Sequence, residues 1–199
     1  MALEVPRQPV RSQGKEYGRA GFDVRHRVQL NGSIEAPWGL RLSPLLTAAS
    51  GRPFNVTLGR DLNNDTLFTD RPAFARDPNR TSVVRTAFGA FDLAPQAGQA
   101  IIPRNYGQGP GQFAMNLRLT KTIEIGGDRK APKSQPGAKE SGRDPYELIF
   151  SISARNLLNH PNLANPVGNL SSSLFGRSVA LAGGAAGSRR LDLQVRFSF

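Results

Sequence analysis

From Phe22 onward the chain keeps switching, residue by residue, between apolar and charged side chains, and a period of two sustained this long leaves room for little but β-strands. In the first stretch Val24, His26, Val28, Leu30, Gly32, Ile34 and Ala36 share one face, and Asp23, Arg25, Arg27, Gln29, Asn31, Ser33 and Glu35 share the other. The same pattern predicts strands near 23–36, 40–58, 112–125, 146–156 and 189–199. The second is bent at Ser50-Gly51-Arg52-Pro53 yet stays in phase through Phe54, Val56 and Leu58. Loops take up 59–111, 126–145 and 157–188, and residues 1–21 form a flexible segment ahead of a β region over 22–199. With 21 Gly and 15 Pro among 199 residues, long helices are not expected. One short helix is predicted around Ser82–Phe91, where Val84, Phe88 and Phe91 fall on one side.

Strands with one greasy and one charged face fit an antiparallel soluble sheet or a transmembrane β-barrel, and loop lengths favour the barrel. If the strands run up and down, the short Pro37-Trp38-Gly39 turn and the 126–145 tract lie at one end, and both long loops lie at the other. Phe22, Phe54 and Phe113 then mark one interface, and Trp38, Tyr146, Phe197 and Phe199 the other. The fold class is therefore all-β, an antiparallel up-and-down barrel segment of about five strands. That number is too few to close a barrel, since single-chain bacterial barrels start at about 8. The expected lumen-facing charges are Arg25, Arg27, Arg41, Arg118, Arg155, Arg196, Glu35 and Glu124. Lys121 alone breaks the apolar face, near enough to a strand end to snorkel to the interface.

The 26 Lys+Arg against 15 Asp+Glu give a formal charge of +11, which also admits a soluble basic sheet binding nucleic acid. That alternative wants arginines and exposed aromatics on one strand face, and here they lie on opposite faces. The absence of cysteine excludes disulfides, thiolate metal sites and thiol catalysis. His26 and His160 have no credible triad or metal partners, so no enzyme is expected. Asp61, Asn63 and Asp65 have the spacing that opens a calcium loop, but Thr66 stands at the glycine position and Pro72 at the bidentate glutamate position. An Asx turn is the favoured account, with a weak loop-bound calcium as the other, and no further cofactor is expected. Gly107-Gln108-Gly109-Pro110-Gly111 precedes a strand and reads as a turn, not as a phosphate loop.

Four runs taken in order carry a resemblance: SGRPFNVTLGRDLNNDTLFTDRP at 50–72, PRNYGQGPGQFAMNLRLTKTIEI at 103–125, SARNLLNHPNLANPVG at 153–168 and the terminal RRLDLQVRFSF. Together they resemble the C-terminal part of TonB-dependent outer-membrane receptors, most of all the Oar-like group, over about Phe22 to Phe199. The resemblance implies a 22-stranded barrel in the full receptor, plugged by an N-terminal domain, with ligand import energised through TonB. The chain has no apolar run long enough for a membrane helix and no signal-like N-terminus, so it is expected to be a C-terminal fragment or truncated product. TonB would then be reached only through the missing N-terminal parts. Leu191, Leu193, Val195, Phe197 and Phe199 match the terminal signal read by the outer-membrane assembly machinery. Outer-membrane lipid is the other implied partner, and nucleic acid is not one.

Overall fold

The computed structural model describes residues 17–126 and 146–199. Apart from two 3₁₀ turns, Pro37–Gly39 and Gly184–Gly187, its regular structure is all strand: β1 (Arg27–Asn31), β2 (Ile34–Ala36), β3 (Leu40–Ala49), β4 (Pro53–Phe54), β5 (Ala73–Phe74), β6 (Val83–Thr86), β7 (Gly89–Asp92), β8 (Gly107–Gln108), β9 (Gln112–Ile125), β10 (Tyr146–Arg155) and β11 (Arg190–Ser198). The described chain divides into a sheet unit, residues 28–48, 113–126, 146–160 and 188–199, and a loop unit, residues 17–27, 49–112 and 161–187.

In the sheet unit the strand order is β1-β3-β9-β10-β11, with β2 also paired to β3. β10 is antiparallel to both neighbours, in a register that pairs Phe150 with Val195 and Lys121, and Ser151 with Gln194 and Thr120. Strands of this length suit a bilayer. At a rise of about 3.4 Å per residue and a tilt of about 45°, the 10 residues of β10 climb about 24 Å, close to the roughly 25 Å apolar band of an outer-membrane barrel.

The strand expected over 23–36 is broken. Residues 23–26 are irregular, and Gly32 and Ser33 separate β1 from β2. Gly32 brings no side chain to pack and donates its N–H to the Pro44 carbonyl at 3.3 Å, while Pro44 has no N–H to return. The strand expected over 40–58 ends at Ala49 for a different reason. Gly51 is buried so closely against the Gly109 carbonyl that a Cβ there would overlap it, and the chain turns to pair Pro53 with Gln108 and Phe54 with Gly107. The Gly107–Gly111 run is therefore part strand rather than a simple turn. Phe54 is withdrawn from the expected interface girdle into a core with Val56, Phe91 and Ile102.

The helix expected around Ser82–Phe91 is instead a hairpin. Val83, Val84 and Thr86 are β-branched and favour extended backbone, and the two-residue turn Ala87-Phe88 is closed by the Thr86–Gly89 pair with Gly89 at φ 131. β5 adds to β7 to complete a three-stranded sheet inside the 59–111 loop. Edge-to-face aromatic pairs fill in around the loop unit's core: Phe54–Phe88, Phe88–Phe175, Phe91–Tyr106 and Phe74–Tyr106, with ring centroids 5.2–5.9 Å apart. Of the segment expected to be flexible over 1–21, residues 17–21 are described. Gly18 bridges to Arg104, and the Arg19 carbonyl accepts from Asn105 Nδ2 at 2.6 Å. Residues 1–16, and the polar tract over 127–145 expected to be a linker, lie outside the described residues.

Candidate functional site

The sheet has two chemically distinct faces. On one, Leu148, Phe150, Ile152 and Ala154 of β10 meet Phe197, Val195, Leu193 and Leu191 of β11, and Ile123, Lys121, Leu119 and Leu117 of β9. Leu42 and Leu40 of β3 face Ile34 and Ala36 of β2. This apolar surface is open: Leu193 is 79% exposed and Leu30 63%. A patch this continuous has no place in water and matches the lipid-facing wall of a barrel. At its edge Tyr146 stacks on Phe197 at 5.9 Å, Phe197 lies 6.0 Å from Phe199, and Trp38 is 82% exposed in the turn after β2. Lys121 resolves its misplacement by reaching along the face to donate from Nζ to the Trp38 carbonyl.

The opposite face carries the charge, and the predicted lumen residues divide there. Glu35 and Arg41 are cross-strand partners and form a 2.7 Å ion pair. Glu124 lies directly opposite Glu147, and Arg196 opposite Ile149. Arg118 Nη2 donates to Gln194 Oε1 at 3.2 Å and to Ser151 Oγ at 3.4 Å. Arg155 Nη2 lies 3.2 Å from Asp192 Oδ2. Arg27 opens β1, whereas Arg25 falls in the irregular stretch before it and belongs to no strand. The strand begins at Arg27, so the alternation read back to Asp23 does not place Arg25 on the sheet. Asp192, Gln194 and Ser151 were legible only as polar positions, and nothing in the alternation marked them as the partners of the arginines.

The loop unit is stapled by Gly and Asn. Gly109 donates its N–H to the Arg52 carbonyl at 2.9 Å, Thr57 donates to the Gly168 carbonyl at 2.8 Å, and Asn165 Nδ2 donates to the Pro53 carbonyl at 3.2 Å. A Cβ on Gly168 would overlap the Asn55 carbonyl, so glycine is required by the close approach of two backbones. Asp61, Asn63 and Asp65 form a self-contained turn. Asp61 accepts from the Asn63, Asp65 and Thr66 amides at 3.2, 3.3 and 2.8 Å, Asn63 Oδ1 accepts from Asp65 at 2.9 Å, and Asp65 Oδ1 accepts from Leu67 at 2.8 Å. These are the hydrogen bonds of the Asx turn that the spacing favoured, and among the described residues no group of three His, Cys, Asp or Glu side chains could hold a metal ion.

One charged cluster had no signal in the sequence. Asp92 is fully buried; its Oδ2 accepts from Arg80 Nη1 and, at 3.1 Å, from Gln99 Nε2, while Oδ1 accepts the Ala94 amide at 3.0 Å. Burial alone would raise its pKa, but the neighbouring Ser82 hydroxyl, the Ala94 N–H, Gln99 and the Arg80 charge together hold it below the ordinary value of 3.8.

An antiparallel sheet of bilayer-spanning strands, lipid-compatible on one face and wet on the other, defines a segment of transmembrane β-barrel wall. The family model described as an outer membrane beta barrel domain matches residues 4–192. The chain belongs to that family, and its place is the outer membrane. Comparison with curated proteins and with solved structures gives no match.

Proposed function

We propose that the chain is part of the barrel of a TonB-dependent outer-membrane receptor of the Oar-like group, serving ligand reception and transport in its parent rather than catalysis. The observation that supports this best is convergence. Three of the four resembling runs meet within the loop unit, at Arg52–Gly109, Phe54–Gly107 and Thr57–Gly168. Their Gly and Asn residues are the ones that make the close approaches there. In this reading β11 is the strand offered to the outer-membrane assembly machinery. Its apolar side chains are exposed, and within the described sheet it pairs only with β10, so its other edge is open to strand addition.

Antibody raised against this sequence, applied to outer-membrane fractions after formaldehyde cross-linking, tests the reading. A species far larger than 21.5 kDa that cross-links to TonB is expected. A 21.5 kDa species with no TonB cross-link overturns it.

A further inference from the structure

The polar face of the sheet carries a charge arrangement that barrel architecture does not explain. Arg155 of β10 and Arg190 of β11 are direct cross-strand partners. Like charges placed so are destabilising by themselves. Asp192 relieves them, with Oδ1 accepting from Arg190 Nε at 2.8 Å and Oδ2 lying 3.2 Å from Arg155 Nη2. In the adjoining row Arg118, Ser153 and Asp192 stand in register across β9, β10 and β11. Two guanidinium groups thus flank one carboxylate, an excess of one positive charge, while Arg118 turns to Gln194 and Ser151 on the same face, and the Arg155 and Arg190 side chains are 55% and 65% exposed. Asp192 engages one nitrogen of each of these two forks, and the other N–H groups of both have no protein partner among the described residues.

We infer that this patch binds an oxyanion, the phosphate or carboxylate group of a water-soluble ligand. The planar forks of Arg155 and Arg190 match a group with two or more coplanar oxygens, and Asp192 already demonstrates the kind of partner they accept. A low-dielectric wall behind a wet, positively charged surface focuses field and raises the local concentration of anions. Lipid headgroups are not the source of the anion, because the patch lies on the face opposite Leu191, Leu193 and Val195. The inference stands on the sheet alone and does not require the receptor reading.

The full chain, folded in detergent micelles and checked by its strand circular dichroism, is titrated with inorganic phosphate and separately with acetate, following arginine side-chain NMR signals. Saturable phosphate shifts that weaken as salt rises from about 20 mM to about 500 mM are expected. Arg155→Gln and Arg190→Gln each weaken binding about tenfold, Arg155→Lys weakens it less, and Arg85→Gln on the β6 hairpin leaves it unchanged. Asp192→Asn removes the built-in competitor and tightens binding. Saturation by acetate as well as phosphate assigns the site to two-oxygen anions generally, and saturation by phosphate alone assigns it to phosphates. Non-saturating shifts, or affinities equal in Arg155→Gln, Arg190→Gln and Arg85→Gln, overturn the inference. Should Asp192→Asn not fold, the contrast between Arg155→Lys and Arg155→Gln decides.

Discussion

Asp92→Asn is nearly isosteric, yet no orientation of the new amide suits its surroundings. Asp92 Oδ2 faces two donors, Arg80 Nη1 and Gln99 Nε2, and Oδ1 faces a third, the Ala94 N–H. Whichever way the amide turns, its NH₂ group meets a donor in a fully buried site. Breaking a buried ion pair by removing one charge costs about 3–5 kcal/mol. Arg80 keeps 31% of its side chain in solvent and can rehydrate, which argues for the low end. About 3 kcal/mol lowers protection against local opening about a hundredfold. Hydrogen exchange at Phe74, Ala75 and Leu93 reads it, since these amides donate to the Ala100, Ala90 and Ser82 carbonyls at 3.0, 3.2 and 2.8 Å and hold the three-stranded sheet to its flanks. Arg80→Gln leaves the carboxylate its Gln99 and Ala94 donors, so a smaller loss is expected. The pH dependence has a definite sign. Asp92 has a folded pKa below 3.8, so its stabilisation is complete above the unfolded value and is lost as pH falls through the folded one. Protection, corrected for intrinsic exchange, therefore falls at acid pH in the native chain and stays flat in Asp92→Asn. Less than a threefold change in protection on substitution would refute the account.

Two further outcomes follow from the sheet and its exit. Leu193→Arg puts a charge near mid-depth on the lipid face and costs about 2–4 kcal/mol, whereas Ser198→Arg on the wet face, opposite Glu147, meets water and changes stability little; denaturant titration of the micelle-folded chain separates them. Gly51→Ala forces the backbone around Gly109 apart and loosens the β4–β8 pair, so exchange at Gly109 accelerates at least tenfold while that of β10 is untouched.

How much of this was legible follows the range of the forces. Alternation is a local property, so the long strands and their faces could be read residue by residue, and so could the awkwardness of Lys121. The departure of the chain at Gly51 could not, because its cause is a carbonyl at Gly109, far along the sequence, while the apolar phase runs on undisturbed into Phe54. The hairpin at 83–92 was hidden because Val84, Phe88 and Phe91 have helical spacing. Phe88 sits in a tight turn, and Val84 and Phe91 are cross-strand partners, an arrangement that folds the same residues onto one side without a helix. Asp92 gave no sign at all, since Arg80 and Gln99 reach it from irregular segments that carry no period. The turn built on Asp61, Asn63 and Asp65 was readable because its partners lie within five residues.

The two faces also explain what fixes the register of β11. Backbone hydrogen bonds do not distinguish a ladder from the same ladder slipped by one residue, but every side chain changes face. A slip would move Leu191, Leu193, Val195 and Phe197 from lipid into the wet side, at about 1.5–3 kcal/mol each. It would also carry Asp192 and Gln194 toward the hydrocarbon and take Asp192 away from Arg155. These costs sum to the order of 10 kcal/mol, more than single cross-strand hydrogen bonds at about 0.5–1.5 kcal/mol could restore. The lipid therefore acts as the register gauge. The strand most exposed to mispairing, at the edge of the described sheet, has the strictest alternation, from Arg190 to Ser198, so its one acceptable alignment is also the one that assembles the arginines around Asp192.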